Sequence, residues 1–457
     1  MARNKKGFWR IIDNFQGDKI IWMIVLLLIM ISILAISSST PLLALQTGST
    51  RSAIINEQIV VTMLGLGVII FCYAFIRHIR LLRLLSQLGF GVSFFMLICL
   101  FVKIHTPVLR AVEINGAVRA LKIMGLPFQL HVFEFVKIFM VMYLAWACQA
   151  YKEGDFALAN LLSERPHFAF LKKKGWQLFF YIFLPVILVS VLILNGSVSS
   201  TLFIGLIMVV TILVGGIKIR EFIPYALVGG LLIAGCVGLA FATKGAVFKR
   251  VYTAVSRIEM ATQDPEKQLL ELKPGSREFQ EALDKVKQPI SAKVAVSEGG
   301  LIGKGPGRST QRYVVPVMFE DYMFSFIVEE YGILGALLVI ILYGTLLARG
   351  SIIAKNCSSL FAKTAVAGLI ITISGQALMH MFINVDLGPL TGQTLPMISH
   401  GASSFVAFSI AFGIILCISK MVKKKVDREV AQMKPILEVR DDVRDGLDDL
   451  DRLDTLD

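Results

Sequence analysis

The chain has 457 residues, 55% of them hydrophobic and only 17% charged, with a mean hydropathy of +0.71. That balance excludes an ordinary soluble domain and points to an integral membrane protein. The formal net charge of +13 would suit a nucleic-acid binder, but its distribution along the chain follows membrane topology, so no nucleic-acid partner is expected.

Ten stretches are long and apolar enough to cross a bilayer as helix, which takes roughly 20 residues. They fall near 20–39, 57–76, 84–102, 131–150, 176–194, 199–216, 222–242, 325–348, 364–383 and 402–420. Runs such as IIWMIVLLLIMISILAI are continuously apolar rather than alternating, so the spans read as helices and not as barrel strands. The first span has an apolar core longer than that of a signal peptide, so it is expected to stay uncleaved despite Ala35-Ile36-Ser37. Short segments on one side hold Arg77, Arg80, Arg83, Lys152, Lys172–Lys174, Lys218, Arg349 and Lys423–Lys425; those on the other hold only Arg51, Lys103, Arg110, Arg119 and Lys122. This asymmetry places both termini in the cytoplasm.

The expected fold class is an all-α integral membrane protein of ten transmembrane helices with one large extracytoplasmic loop between helices seven and eight. The chain divides into a cytoplasmic N-terminus (1–19), seven helices (20–242), the large loop (243–324), three helices (325–420) and a cytoplasmic acidic tail (421–457). Helix-like patches in the loop are FKRVYTAVSRIEMA and SREFQEALDKVKQ; the tail, LEVRDDVRDGLDDLDRLDTLD, reads as disordered or as a weak partner-binding helix. Six cysteines form no CxxC and none lies in the large loop, so neither disulfides nor zinc are expected.

Five polar clusters sit at the outer ends of spans. In NGAVRALKIMGLPFQLHVFEFVKIF (115–139), Glu134 and Lys137 share a helix face and can pair, which suits either a polar cavity or self-contained packing; Arg119 is a loop arginine that can bind phosphate or remain solvated. In SEGGLIGKGPGRSTQRYVVP (297–316), glycines allow backbone amides near an anion and Lys304, Arg308 and Arg312 add charge, although no P-loop pattern is present. In VPVMFEDYMFSFIVEEYG (315–332), Asp321 opens a span at the outer interface. It can act as a base, hold a divalent cation, or serve the helix N-terminus, and Glu329 and Glu330 lie about two turns deeper. His380 and Asn384 are four apart in HMFINVDLGPLTGQTLP (380–396), and PMISHGASS (396–404) opens the last span with serines that suit capping.

The pair EGGLIGKGPGRSTQRYVVPVMFEDYMFSFIVEEYGILG and NVDLGPLTGQTLPMISHGASS resembles the SEDS family (shape, elongation, division and sporulation) of bacterial cell-wall polymerases, and within it the division-type members. The likeness covers nearly all of the chain except the acidic tail. The resemblance implies a peptidoglycan glycosyltransferase of the bacterial cytoplasmic membrane, at the division septum, that polymerises lipid II on the outer face with undecaprenyl pyrophosphate leaving. By the same resemblance Asp321 is the catalytic residue and a ligand for Mg²⁺ or Mn²⁺. Arg119, Glu134, Lys137, Lys304, Ser309, Gln311, Asn384 and Ser403 would bind substrate, while Glu329 and Glu330 would hold helix ends. The implied partners are lipid II and polyprenyl-linked glycan, a class B penicillin-binding protein and other division proteins. The sequence departs from the family pattern at Ala120, at Thr391 where a lysine is common, at His400 where a tyrosine is usual, and at NGSVSST (195–201). The rival readings are an elongation-type paralogue with the same chemistry, a lipid-precursor flippase or transporter, and a division scaffold. The gathering of polar clusters at one face rather than at the midplane weighs against a transporter.

Overall fold

A computed structural model describes residues 17–114, 117–126, 128–243, 272, 274, 276–315, 318–388 and 391–425. The loop patch FKRVYTAVSRIEMA and residues 426–457 of the acidic tail lie outside these residues, while 421–425 continue the last helix. The described chain is helical apart from one small sheet. In order it forms α1 (Lys19–Ser39), a short α2 (Pro41–Thr47), α3 (Arg51–Phe75) and α4 (Ile79–Phe101). Three short strands follow: β1 (Leu109–Ile114), β2 (Ala117–Ile123) and β3 (Leu130–His131). After these come α5 (Val132–Glu153), a short α6 (Ala157–Leu162), α7 (Lys174–Leu194), α8 (Val198–Val214) and α9 (Ile219–Ala242). The chain then forms α10 (Arg277–Gly299), α11 (Met323–Asn356), α12 (Leu360–Asn384) and α13 (Ala402–Lys425). Nine of these helices are long and apolar enough to cross a membrane, and the 17-residue α8 is apolar as well. All ten expected spans are therefore present as helices, and the protein is a multi-pass membrane protein. The loop patch SREFQEALDKVKQ is helical as the start of α10.

Burial sorts the helices. Most of α5 is enclosed, as are α12 and α13, whereas α9 buries only Ala240. The bundle is built around α5, which packs against α4, α8 and α12, while α11 packs against α1, α10 and α12. Polar caps close the helix ends: Asp18 accepts from Ile20 N at 2.9 Å and Ile21 N at 3.2 Å, and Thr50, Ser197, Ser276 and Ser359 each cap a helix with a side-chain oxygen. Asp18 is itself held by Arg349 Nε at 2.9 Å, tying α1 to α11.

The sheet is the first departure from the sequence reading, which placed residues 103–130 in a loop. Its strands run antiparallel in the order β1-β2-β3. Val112 faces Ala120 while Glu113 faces Val118, so Arg119 is the extra residue of a β-bulge. A bulge re-aims the side chain it carries; here the Arg119 Nε donates to the Gly196 carbonyl at 3.0 Å, at the turn before α8.

The second departure is in α11. At ~1.5 Å per residue a straight helix of its length would overreach a hydrocarbon core of ~30 Å. It breaks at Gly332 (φ 67°, ψ −166°), leaving a short outer piece before the span proper. The break frees backbone groups that lipid cannot satisfy, and the segment after α10 satisfies them. Lys304 N and Gly305 N donate to the Glu329 and Glu330 carbonyls, both at 2.9 Å, and Ile333 N donates to Gly300 O at 3.0 Å. Such close backbone approach needs glycine on both sides. A Cβ on Gly303 would meet Glu330 O at 2.3 Å, and one on Gly332 would meet Leu301 O at 2.4 Å, both residues being in the left-handed region.

Candidate active site

The two acids at the break, Glu329 and Glu330, are fully buried. Buried carboxylates need donors, and the glycine-rich loop supplies them. Glu329 accepts from Thr310 N and Lys304 Nζ, each at 2.8 Å, from the Thr310 hydroxyl at 3.0 Å and from the Ser309 hydroxyl. Glu330 accepts from the Ser38 hydroxyl at 2.6 Å and Gly307 N at 3.0 Å, with the Arg312 guanidinium 3.9 Å away. These acids hold the loop in place. In consequence Lys304 is shared between Glu329 and Glu298, and the Ser309 hydroxyl is buried and committed to Glu329. Gln311 is half-buried beside Thr310, its Nε2 lying 3.5 Å from the Thr310 hydroxyl.

Asp321 lies two residues before the outer piece of α11, and its backbone is pinned from three sides. The Phe319 carbonyl accepts from His400 N at 2.9 Å, the Glu320 carbonyl from the Ser399 hydroxyl at 2.8 Å, and the Asp321 carbonyl from Asn384 Nδ2 at 3.0 Å. Asn384 is further fixed because its Oδ1 accepts from Ser325 N at 2.9 Å. The carboxylate of Asp321 receives no hydrogen bond from the described residues and lies 3.9 Å from where a Cβ on Gly392 would be. Burial raises its pKa to about 6, against the opposing pull of the Arg119 charge. Glu320 is raised further, to about 7, by burial and by the Asp321 charge. At neutral pH Asp321 is thus mostly ionised yet basic enough to accept a proton.

Behind this carboxylate lies a polar hub around Lys137. Its ammonium, almost fully buried, is 2.8 Å from Glu134, with Gln376 Oε1 at 2.5 Å and Gln393 Oε1 at 3.2 Å. The expected Glu134–Lys137 pair is therefore present, but it is not self-contained: it joins α5 to α12 and to the segment between α12 and α13. Gln376, His380 and Asn384 recur at every fourth residue along α12. Gln376 Nε2 donates to Thr394 O at 2.9 Å, and His380 Nδ1 lies 2.7 Å from Gln393 O. Ser403 is buried and accepts from His131 N at 3.2 Å, while Ser404 donates to Glu134 at 3.3 Å. Gln393 Nε2 in turn reaches Ser200 Oγ at 3.0 Å. This places the NGSVSST segment against the same hub. His400 bonds Gln58 through its ring at 3.1 Å. Thr391 Oγ1 is buried with no partner among the described residues.

The expected site residues thus fall into two groups. Asp321, Asn384, Glu134, Lys137 and Ser403 meet around residues 391–404, with the Arg119 charge acting on Asp321. Lys304, Ser309 and Gln311 belong to the loop anchored by Glu329. The sequence reading passed over Gln376, Gln393 and Ser200, and read Ser399 only as a capping serine, whereas it donates to the Glu320 carbonyl. The fourfold spacing Gln376–His380–Asn384 inside an apolar span was the signal for the first of these.

A family profile described as "Cell cycle protein", which groups FtsW, RodA and SpoVE, matches residues 18–424. The chain belongs to this family. Its SEDS character is therefore shown, and it is FtsW-like. The "Probable peptidoglycan glycosyltransferase FtsW" of Bacillus subtilis (strain 168) is 28% identical over 296 residues, covering 64% of this chain and 64% of that protein. The matched stretch thus spans slightly under two thirds of that relative. The protein of the same name from Enterococcus hirae is 26% identical over 434 residues, 92% of this chain and 97% of that protein. Among solved structures, a chain from "Structural coordination of polymerization and crosslinking by a peptidoglycan synthase complex" superposes with a TM-score of 0.56 at 22% identity, covering 89% of this chain and 98% of the other. That likeness shows the family's helical membrane fold.

Proposed function

We propose that this chain is a peptidoglycan glycosyltransferase that polymerises lipid II into glycan strands at the outer face of the bacterial cytoplasmic membrane, during cell division. The observation that carries the reading is the Asp321 carboxylate, fixed through its backbone, raised to about 6 by burial and left without a hydrogen-bond donor among the described residues. The charge of Arg119 acts on it, and Asn384, which fixes its backbone, shares a helix with Gln376 of the buried Lys137 hub.

In this reading the 4-hydroxyl of an incoming lipid-linked disaccharide attacks the anomeric carbon of the growing glycan. The new C–O bond forms as the bond to the pyrophosphate breaks, undecaprenyl pyrophosphate leaves with the bonding pair, and the hydroxyl proton passes to Asp321. Arg119 offsets the charge that develops on the leaving group, and Asn384, Ser399 and His400 keep the carboxylate in register with the acceptor. Among the described residues there is no cluster of three or more metal-ligating side chains. Magnesium, however, needs only one or two carboxylates when substrate phosphates complete its shell, and Asp321, whose carboxylate accepts from none of the described residues, fits that role. Asp321 would hold Mg²⁺ or Mn²⁺, which when bound supplies Lewis-acid neutralisation of the pyrophosphate.

The topology proposed with this function has both termini cytoplasmic and the 243–324 segment outside, following the distribution of Lys and Arg. A class B penicillin-binding protein, which would cross-link the strands, and other division proteins are the proposed partners; the relative fold found in a synthase complex supports the first. The test is polymerisation of labelled lipid II by the purified protein with a divalent cation, with and without that transpeptidase. Polymer that disappears in Asp321→Asn supports the reading. Transbilayer movement of lipid without polymer, or an active Asp321→Asn protein, refutes it. A fluorescent fusion at midcell rather than along the sidewall supports the division role.

A further inference from the structure

The short segments assigned to the outer side hold few cations, and three of the five, Arg110, Arg119 and Lys122, lie within one hairpin, with Lys103 just before it. Arg119 is engaged with Gly196 and acts on Asp321. The others form a separate arrangement. Arg110 stands directly opposite Lys122 across the β1–β2 ladder, and His105 is bridged to Arg110 on its other side. Three basic side chains thus occupy one row across three adjacent segments, with Cβ atoms about 5 Å apart between direct partners. Like charges directly opposite in a sheet repel, and the described residues offer this row no ion pair. Lys103 adds a third cation, beside Arg110 and Lys122, from the end of α4. It takes the left-handed conformation (φ 54°) where a helix usually ends on glycine, and Ile104 N closes the turn onto Cys99 O at 3.0 Å.

These residues line a cleft of ≈ 500 Å³ whose one acid is Glu113. Through Lys103, Glu113 and Val118 it adjoins a cavity of ≈ 200 Å³ where Leu97, Leu100, Phe133 and Leu192 meet the polar Asn195 and the Gly196 backbone. A cleft that sets basic heads beside the apolar Ala111, Val112 and Val118 suits an amphiphile with a multiply charged anionic head.

We propose that the row His105–Arg110–Lys122, with Lys103, binds the pyrophosphate of a second polyprenyl-linked substrate while the first reacts at Asp321. The inference rests on the proposed function, because joining two lipid-linked sugars requires two pyrophosphates to be held at once. One is served by Arg119 on one stretch of β2, and the other by the row a few residues further along the same hairpin. A monoanionic phospholipid headgroup would leave most of the row's charge unmatched.

The test uses full-length protein in neutral phosphatidylcholine nanodiscs, in the Asp321→Asn background so that nothing turns over, with undecaprenyl pyrophosphate as the probe. With the row intact, the protein should hold two undecaprenyl pyrophosphates. The Arg110→Ala/Lys122→Ala double variant should weaken one of the two sites at least about tenfold, since each charge-assisted hydrogen bond lost is worth roughly that factor. It should also flatten the salt dependence, and Arg110→Lys/Lys122→Arg should restore most of the affinity. With Asp321 intact, the double variant should raise the KM for lipid II while largely keeping kcat. Should the double variant fail to fold, single Arg110→Gln and Lys122→Gln proteins carry the same comparison. Unchanged affinity and KM overturn the proposal. So does a variant that loses phosphatidylglycerol from mixed nanodiscs but still binds the pyrophosphate, since the row would then be a phospholipid site. If wild type binds the probe through this row yet makes no polymer, the site stands and the proposed function falls. If polymer forms and the row variants match wild type, the reverse holds.

Discussion

Replacing Glu329 by Gln is the sharpest probe of how the glycine-rich loop is held. The carboxylate is fully buried and accepts from the Thr310 amide and hydroxyl, the Ser309 hydroxyl and the Lys304 ammonium. Glutamine keeps the shape and one acceptor oxygen but removes the charge and turns a donor toward Ser309 or Lys304. Hydrogen bonds to a charged group are worth about 1.5–3 kcal/mol and neutral ones about 0.5–1.5, so each retained bond weakens by roughly 1 kcal/mol, without full additivity. A local loss of about 2–4 kcal/mol is expected, with Lys304 still paired to Glu298. Since every ~1.4 kcal/mol is a factor of ten, amides of residues 304–311 should exchange hydrogen about 30- to 1,000-fold faster. Exchange mass spectrometry in detergent or nanodiscs reads this directly. Amides deep in α5 and α13 should keep their protection, which separates loop release from global unfolding. If the 304–311 amides stay within about threefold of wild type, Glu329 does not anchor the loop and the structural role assigned to it is wrong.

Two further outcomes follow from the hub and the carboxylate. Lys137→Met removes one member of a buried ion pair and should cost about 3–5 kcal/mol, seen as a lower Tm; adding Glu134→Gln should recover part of the loss, and Tm losses that simply add would show that the two side chains are not coupled. Because burial raises the pKa of metal-free Asp321 to about 6 and the base form is the ionised one, polymerisation at limiting divalent cation should fall as pH drops through about 6 and level off above it, the limb moving to lower pH as the cation is raised; a profile flat down to pH 5 at limiting cation would remove Asp321 from the role of base.

Much of the architecture was legible in the residues. The ten spans emerge from continuous apolar runs, and the Glu134–Lys137 pair from its spacing of three. Asp321 could be placed at the mouth of a span because Pro316 precedes it and an apolar run follows. The hairpin was not legible: LRAVEI and AVRALKI are short, basic and flanked by membrane spans, so their pairing depends on each other rather than on any local periodicity. Nor was the break in α11, since EEYGILG reads as continuous helix until the backbone of residues 300–305 is seen to complete its hydrogen bonds. The acids divided by role only in three dimensions. Glu329 and Glu330 are surrounded by loop donors, while Asp321 is held through its carbonyl and its side chain meets no donor among the described residues.

The sequence by itself determined where the chain crosses the membrane, because in lipid a segment must satisfy its own backbone and show apolar side chains, and both are one-dimensional properties. Tertiary structure alone decided which charges are locked and which are available. That depends on donors brought together from residues tens to hundreds of positions apart, as when Asn384 fixes the backbone of Asp321 and leaves its carboxylate open.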